Sequence, residues 1–86
     1  MKLLKFGAEW CAPCKSMDEQ LKTFDACELE KHDVDSDDNK TLDLIEKYKI
    51  RSVPTMILLD NDEKVLRTWV GSTAISQITE EINKHK

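Results

Sequence analysis

The chain has 86 residues, of which 40% are hydrophobic and 35% charged, and this length predicts one domain over residues 1–86. Its 13 basic and 17 acidic side chains give a net charge of −4, without the basic cluster that a direct nucleic-acid ligand would require. No apolar run approaches the ~18 residues of a membrane span, so a membrane protein is also excluded.

The first half of the chain predicts two strands and a helix. Residues 3–8 are short and mainly apolar, which is typical of a buried strand and too short for a signal sequence. From Cys14 onward, apolar residues recur at helical spacing, and Pro13 fits the first turn of that helix. Residues 26–34 alternate loosely as a second strand, and the polar segment 35–39 follows as a turn that caps the next helix.

The second half predicts a helix, a hairpin and a final helix. Leu42, Ile45 and Tyr48 mark one face of the first of these helices. Segments 56–59 and 64–70 predict two strands joined by the turn 60–63, which makes them an antiparallel hairpin. Three isoleucines then share one face of a last helix: Ile75, Ile78 and Ile82.

The predicted order is therefore β-α-β-α-β-β-α. Two strands separated by a helix imply a parallel, right-handed crossover, whereas the last two strands are antiparallel. We expect an α/β fold with a four-stranded mixed sheet and three helices distributed over both faces.

Segment 10–15, Trp-Cys-Ala-Pro-Cys-Lys, carries the most chemical information. Two cysteines separated by two residues at the start of a helix can form a reversible disulfide and so carry two electrons. An inert structural pair or half of a zinc site is the alternative. Zinc would need further ligands, and the three available side chains show no paired spacing: Cys27, His32 and His85.

Cys11 is the predicted attacking thiol. Disulfide exchange requires a thiolate, and a sulfur just before a helix lies near free backbone N–H groups and the positive end of the helix dipole. We expect Cys11 to attack a substrate disulfide and form a mixed disulfide. Cys14, one turn into the helix and more buried, then resolves that intermediate by attacking Cys11.

The chain resembles the thioredoxin family. Segment 10–15 matches the family's Trp-Cys-x-Pro-Cys-Lys motif, and segment 50–55, Ile-Arg-Ser-Val-Pro-Thr, precedes an aliphatic strand as it does in the family. Val70-Gly71, Lys31 and Val34-Asp35 also stand where the family has similar residues. The resemblance covers nearly the whole chain and implies a thioredoxin-like fold, and we expect the chain to lack the family's usual extra N-terminal strand and helix.

The resemblance also implies how a substrate docks. In the family the proline matching Pro54 is cis and packs against the sulfurs, and the residue before it, here Val53, pairs its backbone with an extended substrate. The implied docking patch consists of Trp10, Pro13, Val53, Pro54 and Gly71. The alternatives are an ordinary turn proline at position 54 and core packing for Trp10, the role that we expect for Trp69.

Two residues depart from the family pattern. Thioredoxins usually carry a buried acid where this chain has Lys5, and an aromatic residue where it has Gly7. An ammonium beside the sulfurs would favour thiolate and make the disulfide more oxidising, while Gly7 would admit water. Alternatively, Lys5 reaches solvent or pairs with a carboxylate such as Glu9 or Asp33.

The loss of the acid also affects two other residues. Lys31 matches a family lysine that normally faces the buried acid, so its role here is open. Glu9 is the alternative group that would relay a proton through water.

The remaining polar residues predict little chemistry. Cys27 is expected to be a buried, inert thiol, with oxidative dimerisation or a regulatory modification as the alternative. His32 is expected on the surface. Segment 35–39 lacks the glycine and glutamate spacing of a calcium loop and is interpreted as the entry to a helix.

The predicted function is reduction of protein disulfides by a thioredoxin-like oxidoreductase. The resemblance implies regeneration by thioredoxin reductase and no bound cofactor beyond the Cys11–Cys14 disulfide. The odd number of cysteines favours a reducing compartment, so we expect a cytoplasmic monomer whose partners are disulfide-containing proteins. The alternatives are a glutaredoxin-like protein recharged by glutathione and a non-redox interaction module that uses the same surface.

Overall fold

The computed structural model describes residues 1–86 and contains four strands and three helices. The predicted order is confirmed, with element ends shifted by one or two residues from the expected positions. None of the helices is long and apolar enough to span a bilayer. The elements are β1 (Lys2–Gly7), α1 (Ala12–Leu21), β2 (Glu28–Asp33), α2 (Asn39–Tyr48), β3 (Thr55–Leu59), β4 (Val65–Val70) and α3 (Ile75–Lys84).

The strands form one mixed sheet in the order β2-β1-β3-β4. β1 pairs with β2 in parallel, and the β1–β3 and β3–β4 pairs are antiparallel. The end of β1 therefore meets the end of β2 and the beginning of β3. This arrangement brings Gly7, Asp33, Thr55 and Val70 to the same end of the sheet, next to the start of α1.

Alternation along β1 divides the core between the two faces of the sheet. Leu3 packs with residues of α1 and α3, whereas Leu4 and Phe6 pack on the face covered by α2. Trp69 lies in the first of these clusters, which confirms the packing role expected for it. The sheet thus has helices on both faces, as predicted, and α1 packs on the face that carries Leu3.

Segment 35–39 leads into α2 as expected. The Asp38 carboxylate accepts a hydrogen bond from the Thr41 N–H (3.1 Å), which satisfies one of the free donors at the helix start. The helix ends at Tyr48, and the next residue, Lys49, caps it in a left-handed conformation with φ 52°.

The prediction that His32 lies on the surface is wrong. Its side chain is only 6% exposed, and its ring stacks on Phe6 with centroids 5.4 Å apart. The ring nitrogens lie 2.8 Å from Thr41 Oγ1 and 2.5 Å from Glu30 Oε2. The parallel register places His32 opposite Phe6, beneath the start of α2, so the ring links β2 to that helix.

Candidate active site

Cys11 and Cys14 form a disulfide at the beginning of α1, with their Cα atoms 5.2 Å apart. Cys11 is the extended residue that caps the helix, and its sulfur accepts a hydrogen bond from the Cys14 N–H (3.2 Å). Pro13 occupies the first turn, where its missing N–H costs no helix bond. The Cys11 sulfur therefore lies at the positive end of the helix, as the motif predicts.

Both cysteines are largely covered. Cys11 is 5% exposed and Cys14 1% exposed, so the order of burial is the expected one although the difference is small. The two residues pack with Ala8, and Val34 and Val53 lie against this cluster. Access to either sulfur is thus limited to the surface formed by the surrounding loops.

Trp10 lies on the surface beside the disulfide. It is 70% exposed, which excludes the core-packing alternative, and its indole N–H donates to an Asp35 carboxylate oxygen (2.7 Å). The sequence does not predict this contact of Asp35, which it places in the turn 35–39 and in the Val34-Asp35 pair that resembles the family. Its contact follows from the parallel pairing of β1 and β2, because residues just beyond the ends of parallel strands lie close together.

The Val53–Pro54 peptide bond is cis, as the resemblance implies. Pro54 is buried, and Val53 packs against the cysteine cluster. The Val53 N–H and C=O make no hydrogen bond within the chain. The loop is anchored on both sides, because the Gly71 N–H donates to the Pro54 carbonyl (2.8 Å) and the Thr55 hydroxyl donates to the Ser52 carbonyl (2.8 Å).

The five residues predicted to dock a substrate differ in exposure. Trp10 and Pro13 are exposed, Val53 and Gly71 are partly exposed, and Pro54 is buried. Trp10 and Val53 line one groove of about 410 Å³ together with Val34, Ile45, Ile50, Arg51 and Ser52. Gly71 has φ 91°, a backbone conformation that favours glycine.

Lys5 lies on the opposite side of the disulfide and is buried, with 4% exposure. Its ammonium is 3.0 Å from Asp18 Oδ1, so the alternative that Lys5 pairs with a carboxylate is confirmed, although the partner is Asp18 and not Glu9 or Asp33. The alternative that Lys5 reaches solvent is wrong. The half-exposed Lys31 places its ammonium 3.4 Å from the same oxygen. Asp18 lies outside the cysteine motif, but its position four residues after Cys14 places both on one face of α1, the one sequence signal that points to it.

Burial and charge compete at Asp18. Burial raises the pKa of its carboxyl, but the hydrogen bond and charge of Lys5, together with Lys31, lower it below the ordinary value of 3.8. Asp18 is therefore a carboxylate at neutral pH and pairs with two ammonium groups.

Gly7 provides the room for the Lys5 side chain. A Cβ at position 7 would overlap the Lys5 ammonium and would lie 3.3 Å from the Cys14 Cβ. The space left by the missing aromatic residue is thus filled by the end of Lys5. Beyond it lies an open basin of about 410 Å³, whose rim includes the exposed Glu9.

Cys27 is a partly buried free thiol outside this site. Its sulfur is 3.4 Å from the Glu28 carbonyl, and burial raises the pKa of the thiol above 9.0. His32 and His85 contact Glu30 and Glu81 instead of the cysteines. No group of three or more His, Cys, Asp or Glu side chains is placed to hold a metal ion.

A disulfide of two closely spaced cysteines, at a helix start and after a central strand, defines a thiol–disulfide exchange site. The family model "Thioredoxin" matches residues 1–84. The chain is 34% identical to thioredoxin of Haemophilus influenzae over 96% of its own length and 78% of that protein. It is also 34% identical to Bacillus subtilis thioredoxin, over 96% of this chain and 80% of that one.

Solved structures agree with these sequence relatives. A mutant thioredoxin from Halobacterium salinarum superposes with a TM-score of 0.81 at 27% identity, covering 96% of this chain and 72% of that one. Thioredoxin 1 from Thermosipho africanus gives a TM-score of 0.74 at 26% identity, covering 99% and 93%. The chain belongs to the thioredoxin family, and it is a thiol–disulfide oxidoreductase with the Cys11–Cys14 pair as its redox-active disulfide.

Proposed function

We propose that the protein reduces protein disulfides, with Cys11 as the attacking thiol and Cys14 as the resolving thiol. The observation that carries this assignment is the position of the Cys11 sulfur at the start of α1, where it accepts the Cys14 N–H. The same interactions stabilise a Cys11 thiolate after reduction. Cys14 is the more buried of the two and lies within bonding reach, which suits the second step.

Substrates dock, in this proposal, on the patch formed by Trp10, Pro13, Val53, Pro54 and Gly71. The unpaired backbone N–H and C=O of Val53 support pairing with an extended substrate segment, because such pairing uses main-chain hydrogen bonds that are independent of sequence. The exposed Trp10 ring supplies apolar contact area beside the disulfide. The patch therefore suits many partners, each bound weakly.

Lys5, Lys31 and Glu9 tune the disulfide. The buried Lys5 ammonium beside Cys14 favours thiolate, so the reduced form is stabilised. The Cys11–Cys14 disulfide is then more oxidising than that of a typical thioredoxin, whose reduction potential is about −270 mV. Glu9, on the rim of the basin, relays protons through water, and Lys31 acts through Asp18.

The physiological setting follows from the same chemistry. Disulfide-containing proteins are the substrates, thioredoxin reductase regenerates the dithiol, and residues 1–86 act as a monomeric domain without a bound cofactor. An odd number of cysteines, with Cys27 unpaired, supports the reducing cytoplasm as its compartment.

Reduction of insulin tests the proposal directly. The wild-type protein should cleave the insulin disulfides when supplied with NADPH and thioredoxin reductase, faster than with glutathione and glutathione reductase. Faster turnover with glutathione would identify the glutaredoxin-like alternative instead.

Two variants test the roles of the cysteines. Cys11→Ser should be inactive and form no adduct, whereas Cys14→Ser should accumulate a mixed disulfide with insulin through Cys11. A variant with both substitutions that retained full biological activity would contradict redox function and identify an interaction module.

A further inference from the structure

Lys5 and Lys31 form a like-charged pair across two neighbouring strands. They are direct partners in the parallel register of β1 and β2, and both ammonium groups contact Asp18 on α1. Like charges at opposed positions destabilise a sheet, so this face needs a counter-charge. Asp18 is the counter-charge, and its Oδ1 is shielded from solvent by the groups around it.

The Lys5 ammonium also lies near Cys14. The ammonium nitrogen and the Cys14 Cβ both lie within 3.3 Å of the position that a Cβ of Gly7 would occupy, which places them on either side of a residue without a side chain. A buried charge acts over such a distance with little screening by water. The charge of Lys5 is therefore available to Cys14 as well as to Asp18.

Lys5 and Asp18 have opposite effects on a negative charge at Cys14. An ammonium favours the thiolate and a nearby carboxylate disfavours it, so the resolving thiol responds to the balance of the two. Other charged groups on the basin are Glu9, Lys15, Lys31, His32 and Asp33. Of these, only Lys31 contacts Asp18.

We propose that Lys5 and Asp18 are an opposed pair of positioning residues that controls how readily Cys14 loses its proton, with Gly7 as the residue that lets Lys5 reach Cys14. The proposal rests on the resolving role assigned to Cys14 above. It extends that role by assigning Asp18, a residue outside the sequence motif, to the same reaction.

The step that the pair controls is the second exchange. The Cys14 thiol gives its proton to water, and the resulting thiolate attacks the Cys11 sulfur of the mixed disulfide. The Cys11–Cys14 bond forms, and the bond between Cys11 and the substrate sulfur breaks. The released substrate sulfur leaves as a thiolate and takes a proton from water, so the two cysteines have supplied two electrons to the substrate disulfide.

The test measures the ionisation constant of Cys14 in the reduced protein. The ¹³C chemical shift of the Cys14 Cβ, recorded as a function of pH, gives that constant. Asp18→Asn should raise that constant about tenfold, and Lys5→Met should lower it by about the same factor, given the energy of a nearby, partly screened charge. The double variant should lie between the two single variants. Glu19→Gln and Lys22→Met remove an exposed ion pair at the end of the same helix and should change the constant less than about twofold.

Shifts in the same direction for Asp18→Asn and Lys5→Met, or shifts no larger than those of the controls, would overturn the proposal. A decrease in Asp18→Asn would also overturn it, because Asp18 would then act as a base for Cys14. If Lys5→Met does not fold, Asp18→Asn alone decides the question, because Asp18 is half-exposed and its substitution should be tolerated. Insulin reduction by the wild type distinguishes failure of the proposed function from failure of this inference. If the wild type does not reduce insulin, the disulfide exchange itself is refuted. If it does, only the Cys14 titrations decide whether Lys5 and Asp18 control the thiol.

Discussion

The two sides of the Cys11–Cys14 disulfide are built from different kinds of residue. On one side are the exposed ring of Trp10 and the unpaired backbone groups of Val53, with Pro54 buried next to Val53. On the other side are two lysines that share one carboxylate, Lys5 and Lys31 with Asp18. The first side contacts solvent, whereas the Lys5 side chain is enclosed between the sheet and α1.

This difference separates two tasks that a disulfide reductant must perform. In our proposal, the apolar side binds a substrate without affecting the charge of either sulfur. The charged side sets the ionisation of Cys14 without touching the substrate. Variants on the first side should therefore change substrate affinity, and variants on the second side should change proton loss or stability.

Trp10→Ala should give the largest effect on the apolar side. Truncating an exposed aromatic anchor typically costs about 2 kcal/mol of binding, so we expect KM for insulin to rise more than about tenfold. The ionisation of Cys14 should not change. Steady-state kinetics with a reductase in excess measures the first quantity, and the ¹³C titration measures the second.

Val65→Ala is the matched control for this prediction. Val65 is also an exposed apolar residue, but it lies at the other end of β4 from Gly71. Its removal should leave KM unchanged. Equal changes in KM for the two variants would show that Trp10 has no special part in docking.

Gly7→Ala should show that the charged side is tightly packed. The new methyl group would displace the Lys5 ammonium from Cys14 and Asp18, and we expect a loss of about 1 kcal/mol in the free energy of unfolding. In a Lys5→Ala background only the contact of 3.3 Å with the Cys14 Cβ remains, so the same substitution should destabilise the fold less. The lower conformational entropy of the unfolded chain with alanine at position 7 offsets part of the remaining cost.

Urea unfolding of the four proteins in this cycle measures the coupling between positions 5 and 7. An equal effect of Gly7→Ala in both backgrounds would contradict the close approach of Lys5 to Gly7.

The smallest of the predicted effects is the loss, at acid pH, of the stability that the ion pairs of Asp18 contribute. The pKa of Asp18 is lowered in the folded protein, so its ion pairs contribute stability that is present above the unfolded pKa and is lost as pH falls through the folded value. The difference in unfolding free energy between wild type and Asp18→Asn should be constant near neutral pH and should shrink below pH 3.8.

Denaturant unfolding at a series of pH values tests this dependence. Burial raises the pKa of Glu30, but hydrogen bonds from His32 and Lys40 lower it below its ordinary value. Glu30 is present in both proteins, so its contribution cancels in the difference. A difference that grows toward acid pH would contradict the ion pairs of Asp18.

The elements and the cysteine site were predictable because their signals are local. Met17 and Leu21 repeat at helical spacing, Cys11 and Cys14 lie in one short motif, and the hairpin turn 60–63 separates two apolar runs. The cis bond before Pro54 was predictable only from the family resemblance, since most prolines are trans.

The sequence did not predict the burial of His32 or the partner of Lys5, because both are set by contacts between elements that are distant in the chain. His32 seemed exposed because its neighbours in sequence are charged, but its partners Phe6 and Thr41 come from β1 and α2. For Lys5, the local sequence offers Glu9 and Asp33, near the strand ends, as partners. The sheet register and the placement of α1 select Asp18 instead, and neither is determined by local sequence.

Alkylation of the fully reduced protein, with the modified cysteines identified by peptide mass spectrometry over time, tests the central claim most directly. The account predicts that Cys11 is labelled first, ahead of Cys14 and Cys27. Faster labelling of Cys14 or Cys27 would contradict the assignment of Cys11 as the attacking thiol.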